Sequence, residues 1–233
     1  MCSNREKAIR YLSNDECSHI DMLEPIRRGT ADILYAEEDG VILYEQNSET
    51  CMISMQAIEK CQELIDFKAY TMFAVHQKEI ADLLCGNGDF SHQFEVYQAI
   101  YRKKQHISGH FEAIRLLTPE YIDQVFEKYN ATNSRLYIEI LIDRKQLWGI
   151  FDEGHLAGFI GVHLEGSMGL LEIFPEYRRK GYGQQLESYL INDFLNRGET
   201  PFCQVVTAND KSIALQNKLG LEISEKTTIW LFN

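Results

Sequence analysis

Arg178, Arg179 and Lys180 stand directly before Gly181 and Gly183, in the run Glu172-Ile173-Phe174-Pro175-Glu176-Tyr177-Arg178-Arg179-Lys180-Gly181-Tyr182-Gly183-Gln184. Three adjacent cations beside two closely spaced glycines have the chemistry to hold a polyanion. Glycines let the backbone bend so that successive N–H groups point at one spot. The residues that follow place Tyr182, Leu186, Tyr189, Leu190 and Phe194 at helical spacing. A helix beginning there brings roughly half a positive charge and up to about four unpaired N–H donors to its first turn. Together these form an anion cradle suited to a phosphate or pyrophosphate. Read alone, R-x-x-G-x-G is a short pattern, and a basic run is ordinarily a solvated face. The surrounding residues have to decide.

A second polar group lies downstream. Val205-Val206-Thr207-Ala208 reads as a strand, Asn209-Asp210-Lys211-Ser212 as the start of a helix, and Lys218-Leu219-Gly220-Leu221 as its end. Other motifs carry less chemistry. His106 and His110 flank Ser108-Gly109, which argues against a shared helix face, and nothing nearby completes a ligand set, so no metal is expected. Gly86-Asn87-Gly88 reads as a turn, because no further glycine or lysine completes a phosphate loop. The absence of G-K-[ST] also weakens an ATP reading of Gly181 and Gly183. Trp148 and Trp230 read as core or pocket wall.

The elements that must position these residues follow from hydrophobic periodicity. From residue 31, the pattern predicts two or three strands joined at Asp39-Gly40 and Asn47-Ser48, then a helix over 55–66, a strand over 69–76, and helices over 76–84 and 91–104. Ser108-Gly109 marks a seam. After it come a strand over 111–117, a helix capped by Thr118 with Pro119 at its first position, and a second helix over 135–145. A hairpin about Asp152–Gly154, a strand over 168–174, the long helix from Tyr182 to Arg197 closed by Gly198, a strand over 202–208, a short helix stopped by Gly220, and a final strand complete the chain. This is an α/β design, an α+β fold with a mixed sheet. Two domains are expected: residues 1–107, an N-terminal α/β domain, and residues 108–233.

Composition bounds the rest. The 233 residues carry a formal net charge of −12, which disfavours nucleic-acid partners and makes the Arg178–Lys180 cluster a local exception. No apolar run approaches the roughly 20 residues of a membrane span, and the charged start Met1–Leu12 has no apolar signal core. The six cysteines, Cys2, Cys17, Cys51, Cys61, Cys85 and Cys203, show no C-x-x-C pair and are expected as thiols in a cytoplasm.

Pro175-Glu176-Tyr177-Arg178-x-x-Gly181-x-Gly183, followed by Asn209, Ser212 and Lys218-Leu219-Gly220-Leu221, resembles the GNAT superfamily of acyl-CoA-dependent N-acyltransferases. The resemblance covers Glu112 to Phe232, and the segment around Gly169–Gly183 is similar to the FR47-like subset that includes glycine N-acyltransferase-like enzymes. It implies a GNAT-like domain over 108–233, with 1–107 a degenerate copy that binds no coenzyme A. It implies acetyl-CoA as cosubstrate and a primary amine of a small molecule or peptide as acceptor. Backbone N–H groups from Arg179 through Lys180, Gly181, Tyr182 and Gly183 to Gln184 would hold the pyrophosphate, with Arg178, Arg179 and Lys180 adding charge. Ile173, and the Pro175 carbonyl, would pair with the pantetheine arm as an added strand does. Asn209 would contact the pantetheine or thioester, and Lys211 and Ser212 are close enough to help, although Ser212 equally suits a helix N-cap.

The implied reaction is attack of a neutral amine on the thioester. An amine resembling lysine, with a reference pKa of about 10.4, is protonated at neutral pH and needs a base. Candidate bases are Glu172, Glu165 and His163. Against these stand an ion-paired role for Glu172 and a packed or solvated strand position for His163. The Ile173 N–H is the candidate oxyanion donor. Gln216 stands where the family often has a tyrosine that protonates the thiolate, and a glutamine has no proton to give at neutral pH. A second function therefore stays open beside the enzyme: an acyl-CoA sensor or scaffold without turnover. Oligomeric state and acceptor identity are not legible.

Overall fold

Ser3 opens the first helix with its own chemistry. Its hydroxyl accepts the Glu6 N–H and its N–H donates to the Glu6 carboxylate, a capping box that satisfies two helix-end donors. The computed structural model describes residues 3–87, 90, 92–129 and 134–232, so Cys2 and Gly88 of the motifs above lie outside the described residues. Helix α1 (Asn4–Leu12) is followed by α2 (Ile20–Arg28), which stops at Gly29 with φ 76°. Neither helix was expected. Then come β1 (Ala31–Glu37), β2 (Gly40–Glu45) and β3 (Thr50–Met55), α3 (Ile58–Leu64), β4 (Met72–Val75), α4 (Lys78–Asn87) and β5 (His92–Ile100). The turn expected at 86–88 begins inside α4, which contains Gly86 and Asn87.

Residues 92–100 correct the sequence reading, which placed a helix there. They form β5, paired antiparallel with β11 (Glu222–Phe232) through Trp230↔Phe94 and Thr228↔Val96. Phe94, Val96, Tyr97 and Ile100 suit a pleated surface better than a helix, and a partner strand more than a hundred residues away decides the outcome.

The rest of the chain supplies β6 (Ile114–Leu116), α5 (Ile122–Lys128), α6 (Arg135–Asp143), β7 (Leu147–Asp152), β8 (His155–Val162), β9 (Met168–Ile173), α7 (Tyr182–Arg197), β10 (Phe202–Val206) and α8 (Asp210–Leu219) before β11. Thr118 precedes a 3₁₀ turn rather than capping α5, since its hydroxyl bonds to Glu120. The order α-α-β-β-β-α-β-α-β occurs twice, from α1 to β5 and again from α5 to β11.

Two compact units result. The first comprises Met1–Ile100, Gln204–Asn217 and Leu221–Asn233, the second Tyr101–Cys203 and Lys218–Gly220. The expected division put all of 108–233 in one domain. Instead the last strand groups with the N-terminal unit, because β11 is hydrogen-bonded to both β4 and β5. In the first unit the strand order is β1-β2-β3-β4-β11-β5. One face packs Val41, Leu43 and Met52 with Leu12, Met22 and Leu23 of α1 and α2; the other packs Ile42, Ile53 and Phe73 with Cys61 and Leu84 of α3 and α4. Burial on both faces explains why these strands read as nearly continuous apolar runs. In the second unit β6, β7, β8 and β9 are neighbours, and Phe159, Leu170 and Phe174 pack against Ile138 and Leu141 of α6.

The first unit also buries a polar cluster. Asp21 accepts from Gln98 Nε2 at 3.0 Å and lies 3.3 Å from His76 Nε2. Gln98 Nε2 also reaches Thr228 Oγ1 at 3.0 Å. The His19 ring lies 4.8 Å from that of His76 and its Nε2 is 2.9 Å from Ser54 Oγ. Burial, and then the neighbouring His76, push the His19 imidazole down to about 4 from 6.5. The unfolded chain therefore takes up this proton at higher pH than the folded one. The contribution is whole above pH 6.5 and is lost as pH falls from there toward 4, by on the order of 3 kcal/mol in full. Thermal unfolding at pH 7.5 and pH 5.0 should show a lower Tm at the acid end, and His19→Gln should shrink that difference. An equal difference in the variant would rule out His19 as its source.

Candidate active site

Helix α7 begins without a side-chain cap. Its N-cap is Gly181 in the left-handed region (φ 83°), no side chain accepts from its first turn, and that turn contains no acidic residue. The first intrahelical bond recorded at this end runs from Gln185 N to Gly181 O, at 3.1 Å. The N–H groups of Tyr182, Gly183 and Gln184 precede it and lack an intrahelical acceptor. Helices α1 and α6 differ, for Ser3 and Ser134 accept from their first turns. Arg179 also has a positive φ, 66°, so two left-handed residues shape the approach to the helix and turn successive N–H groups to one side.

The two glycines differ in what they need. Gly181 needs its lack of a side chain for its backbone angle. Gly183 does not: its φ is not positive, and an added Cβ would meet only Ile173 Cγ1 at 3.7 Å and Leu171 Cδ2 at 3.9 Å, ordinary contacts. Neither backbone strain nor a packing clash explains glycine at 183.

Of the three cations, two are engaged within the protein. Arg178 Nη2 pairs with Glu172 Oε1 at 3.0 Å and its Nε donates to the Ile173 carbonyl at 2.9 Å. Lys180 Nζ lies 2.7 Å from Asp152 Oδ2, which holds that carboxyl below its ordinary range. No ion pair forms to Arg179 among the described residues. The expected rim of three cations is therefore one open guanidinium and two that brace the loop against β9 and the β7–β8 turn.

Within its own unit, strand β9 has one backbone edge that is paired only at its start. It pairs antiparallel with β8, and its parallel pairing with β10 is confined to Met168↔Cys203. The register breaks between Phe159 and Gly161, opposite Leu170, which is held at φ 53°. Phe174 N donates to Ala157 O at 3.0 Å, toward β8. By strand alternation Ile173 turns its N–H and C=O away from β8. The carbonyl is taken by Arg178, which leaves the N–H as the donor on that edge.

The candidate bases are arranged unequally. Glu172 is ion-paired with Arg178, as its competing reading held. Glu165 is buried and accepts from Ser167 Oγ. His163 Nδ1 lies 2.6 Å from Tyr137 Oη. Burial, then Glu165 and Glu172, push the Tyr129 phenol up to about 12, and burial followed by Glu165 raises Tyr137 further. Tyr129 and Tyr137 thus belong to the same cluster as the carboxylates, and sequence reasoning missed both. Their only local signal was a tyrosine on the apolar side of the α6 pattern, indistinguishable from core.

Asn209 and Ser212 belong to the first unit. Asn209 Oδ1 accepts from Ser212 N at 3.1 Å, so Asn209 is the cap at the start of α8 and Ser212 contributes its backbone rather than capping. Gln216 is buried, with Oε1 lacking a hydrogen-bond partner among the described residues. Within the first unit, the counterpart of the β9–β10 pair is closed: β3 and β4 pair at Cys51↔Phe73, Met52↔Ala74 and Ile53↔Val75, and His76 N continues to Ile53 O. Beyond it, Gln77 Oε1 accepts the Met55 N–H at 2.8 Å. The helix that follows β3, α3, starts at Ala57 with no glycine loop before it.

The family model for FR47-like proteins matches residues 148–231. Solved structures share the fold. A Drosophila protein has 16% identity and a TM-score of 0.65, over 98% of this chain and 87% of that one. A protein from Novosphingobium aromaticivorans assigned to the GNAT family has 14% identity and a TM-score of 0.59, over 93% and 96% of the two chains. A GCN5-related N-acetyltransferase-like protein from Streptococcus suis has 16% identity and a TM-score of 0.60, over the full length of both. No curated protein matches the sequence. The fold is that of solved proteins assigned to the GNAT family, and the FR47-like match spans the residues from which the resemblance was drawn.

The contrast between the two glycines is testable by stability alone. Gly181→Ala should destabilise by about 1–2 kcal/mol, because it forces a left-handed angle on a side chain. Gly183→Ala should be neutral or stabilising by up to about 1 kcal/mol, because alanine favours the helix. Urea unfolding of both variants checks this, and a Gly183→Ala loss comparable to that of Gly181→Ala would contradict it.

Proposed function

We propose that this chain transfers an acetyl group from acetyl-CoA to a primary amine of a small molecule or peptide. The observation that carries the reading is the uncapped start of α7 with an unexplained glycine at its second position. The N–H groups from Arg179 to Gln184 would hold the pyrophosphate, and Arg179 would add the open charge. The edge of β9 at Ile173 would pair with the pantetheine arm. When bound, acetyl-CoA supplies an electrophilic thioester carbon; its C–S bond breaks as the amine nitrogen bonds to the acetyl carbon. Ile173 N–H, directed away from β8, would donate to the oxygen that gains charge. Thiols ionise near 8.5, so the thiolate can leave without a proton donor at the Gln216 position.

Among its described residues the first unit has neither part. Its β3–β4 pair is zipped and its α3 has no cradle, so coenzyme A is assigned to the second unit's loop alone. The strongly acidic surface suits an amine acceptor better than a nucleic acid. No helix among the described residues is long and apolar enough to cross a membrane, and the five described cysteines are free thiols, which fits a reducing cytoplasm.

Gln216 favours a second reading. A buried amide with no titratable proton stands where a proton donor was expected, which suits an acyl-CoA sensor or scaffold that binds without turnover. Thiol release from acetyl-CoA, measured with glycine, lysine, spermidine and propylamine, separates the two. Release with at least one amine supports the enzyme; tight binding with no release supports the sensor.

Binding itself tests the cradle. Gly183→Ala should lower acetyl-CoA affinity at least about tenfold in calorimetry while leaving stability intact, since on this reading the methyl would crowd a phosphate approaching the first-turn N–H groups. Unchanged affinity in that variant would remove the reading.

A further inference from the structure

We infer that His163 takes the proton from the acceptor's ammonium group and that Tyr137 is the residue that positions it. The inference rests on the acetyl-transfer reading and identifies the base which that reading leaves open. His163 lies just beyond the end of β8 in a short turn closed on both sides: its N–H donates to Ser167 O at 2.8 Å and its carbonyl accepts from Gly166 N at 2.8 Å. Gly166 has φ 97°, which only glycine adopts without strain, so the turn is fixed by sequence. The backbone of His163 is therefore held before its ring makes any contact.

The ring is then held at both nitrogens' edges. Nδ1 sits 2.6 Å from Tyr137 Oη, with the two rings stacked at 26° and 6.2 Å between centroids. The Nε2 edge rests on Gly169. A Cβ at that position would lie 2.3 Å from Nε2 and 2.5 Å from Cδ2. Gly169 has no positive φ, so its backbone does not call for glycine. The missing side chain is room for the imidazole. Gly169 adjoins Leu170, the left-handed residue of β9, and shares that strand with Ile173. The imidazole thus lies against β9, four residues along the strand from Ile173.

The competing carboxylates are committed elsewhere, Glu172 to Arg178 and Glu165 to the Ser167 hydroxyl. The titratable groups around the pair are Glu165 from the same turn and Tyr129 from the end of α5; Glu172 on β9 acts on Tyr129. Tyr137 is held as a neutral phenol by burial and by Glu165. Its oxygen can accept from Nδ1–H, which leaves the Nε2 lone pair as the proton acceptor. In the step, a proton moves from the ammonium nitrogen to Nε2, giving an imidazolium whose Nδ1–H still donates to Tyr137. The freed amine lone pair forms the C–N bond as the carbonyl π electrons move to oxygen, and on collapse the C–S bond breaks with its electrons on sulfur. The new amide nitrogen gives up its second proton to the thiolate or to solvent, and the imidazolium returns its own proton to solvent.

The test follows kcat/KM for thiol release from pH 5 to 9 with glycine, lysine, spermidine and propylamine, alongside acetyl-CoA affinity by calorimetry. His163→Ala should lower kcat about 100-fold or more, with partial rescue by added imidazole. Gly169→Ala should displace the ring and reproduce most of that loss, with acetyl-CoA affinity within about twofold of the parent. Tyr137→Phe should move the acid limb of the pH profile, which a purely structural tyrosine would leave in place. Retained kcat in His163→Ala, absence of imidazole rescue, an acid limb unmoved in Tyr137→Phe, or no thiol release by a parent protein that binds acetyl-CoA would each overturn the inference. Failure to bind acetyl-CoA at all would remove the acetyl-transfer reading first.

Discussion

The backbone donors at the start of α7 have to be satisfied, and among the described residues no side chain does it. Unpaired N–H groups at a helix start are met by caps, by water or by a ligand. Ser3, Ser134 and Asn209 meet them at α1, α6 and α8, while α2, α3 and α5 also start without a side-chain cap but carry Asp21, Glu59 and Asp123 in their first turns. At α7 the cap is a glycine, the first turn has no carboxylate, and the approach is bent by two left-handed residues. Every neighbouring feature then has a place. Arg178 and Lys180 brace the loop through Glu172 and Asp152, so the donors keep their direction when nothing is bound. Arg178 also takes the Ile173 carbonyl, which leaves that residue's N–H alone on the edge.

The two halves of the chain show what this constraint selects. Both run through the same order of helices and strands, so elementary packing rules cannot tell them apart. The difference lies between two parallel strands. In the first unit β3 and β4 stay paired as far as His76, and a glutamine amide satisfies the next N–H. In the second, the recorded β9–β10 pairing among the described residues is confined to Met168↔Cys203. Closing the first pair yields a stable wall with a buried polar cluster around Asp21, His19 and His76. Opening the second costs backbone hydrogen bonds that a ligand strand could restore.

Much of the site was legible because it is local. Glycine spacing, adjacent cations and a helical stripe all sit within the 16 residues of α7 and the loop before it, and the positive-φ glycines at 181, 198 and 220 follow from turn and cap chemistry. The hairpin at Asp152–Gly154 was legible for the same reason. What escaped depends on distance along the chain. Residues 92–100 have enough helix-compatible spacing to mislead, and only β11 makes them a strand. Helices α1 and α2 are short, and Pro25 inside α2 hides it. The partners of Arg178 and Lys180 lie on other elements, so their charge looked free in the sequence. Tyr137 and His163 meet across 26 positions, a contact that no periodicity encodes.

The most direct measurement of the central claim follows backbone amides one by one. In a nitrogen-15 labelled sample titrated with coenzyme A, the amides of Lys180 to Gln184 and of Ile173 should shift and saturate together. The amides of Ala57 to Lys60, at the equivalent helix start in the first unit, should stay in place. Saturating shifts confined to the first unit, or none at Gly181 to Gln184, would contradict it.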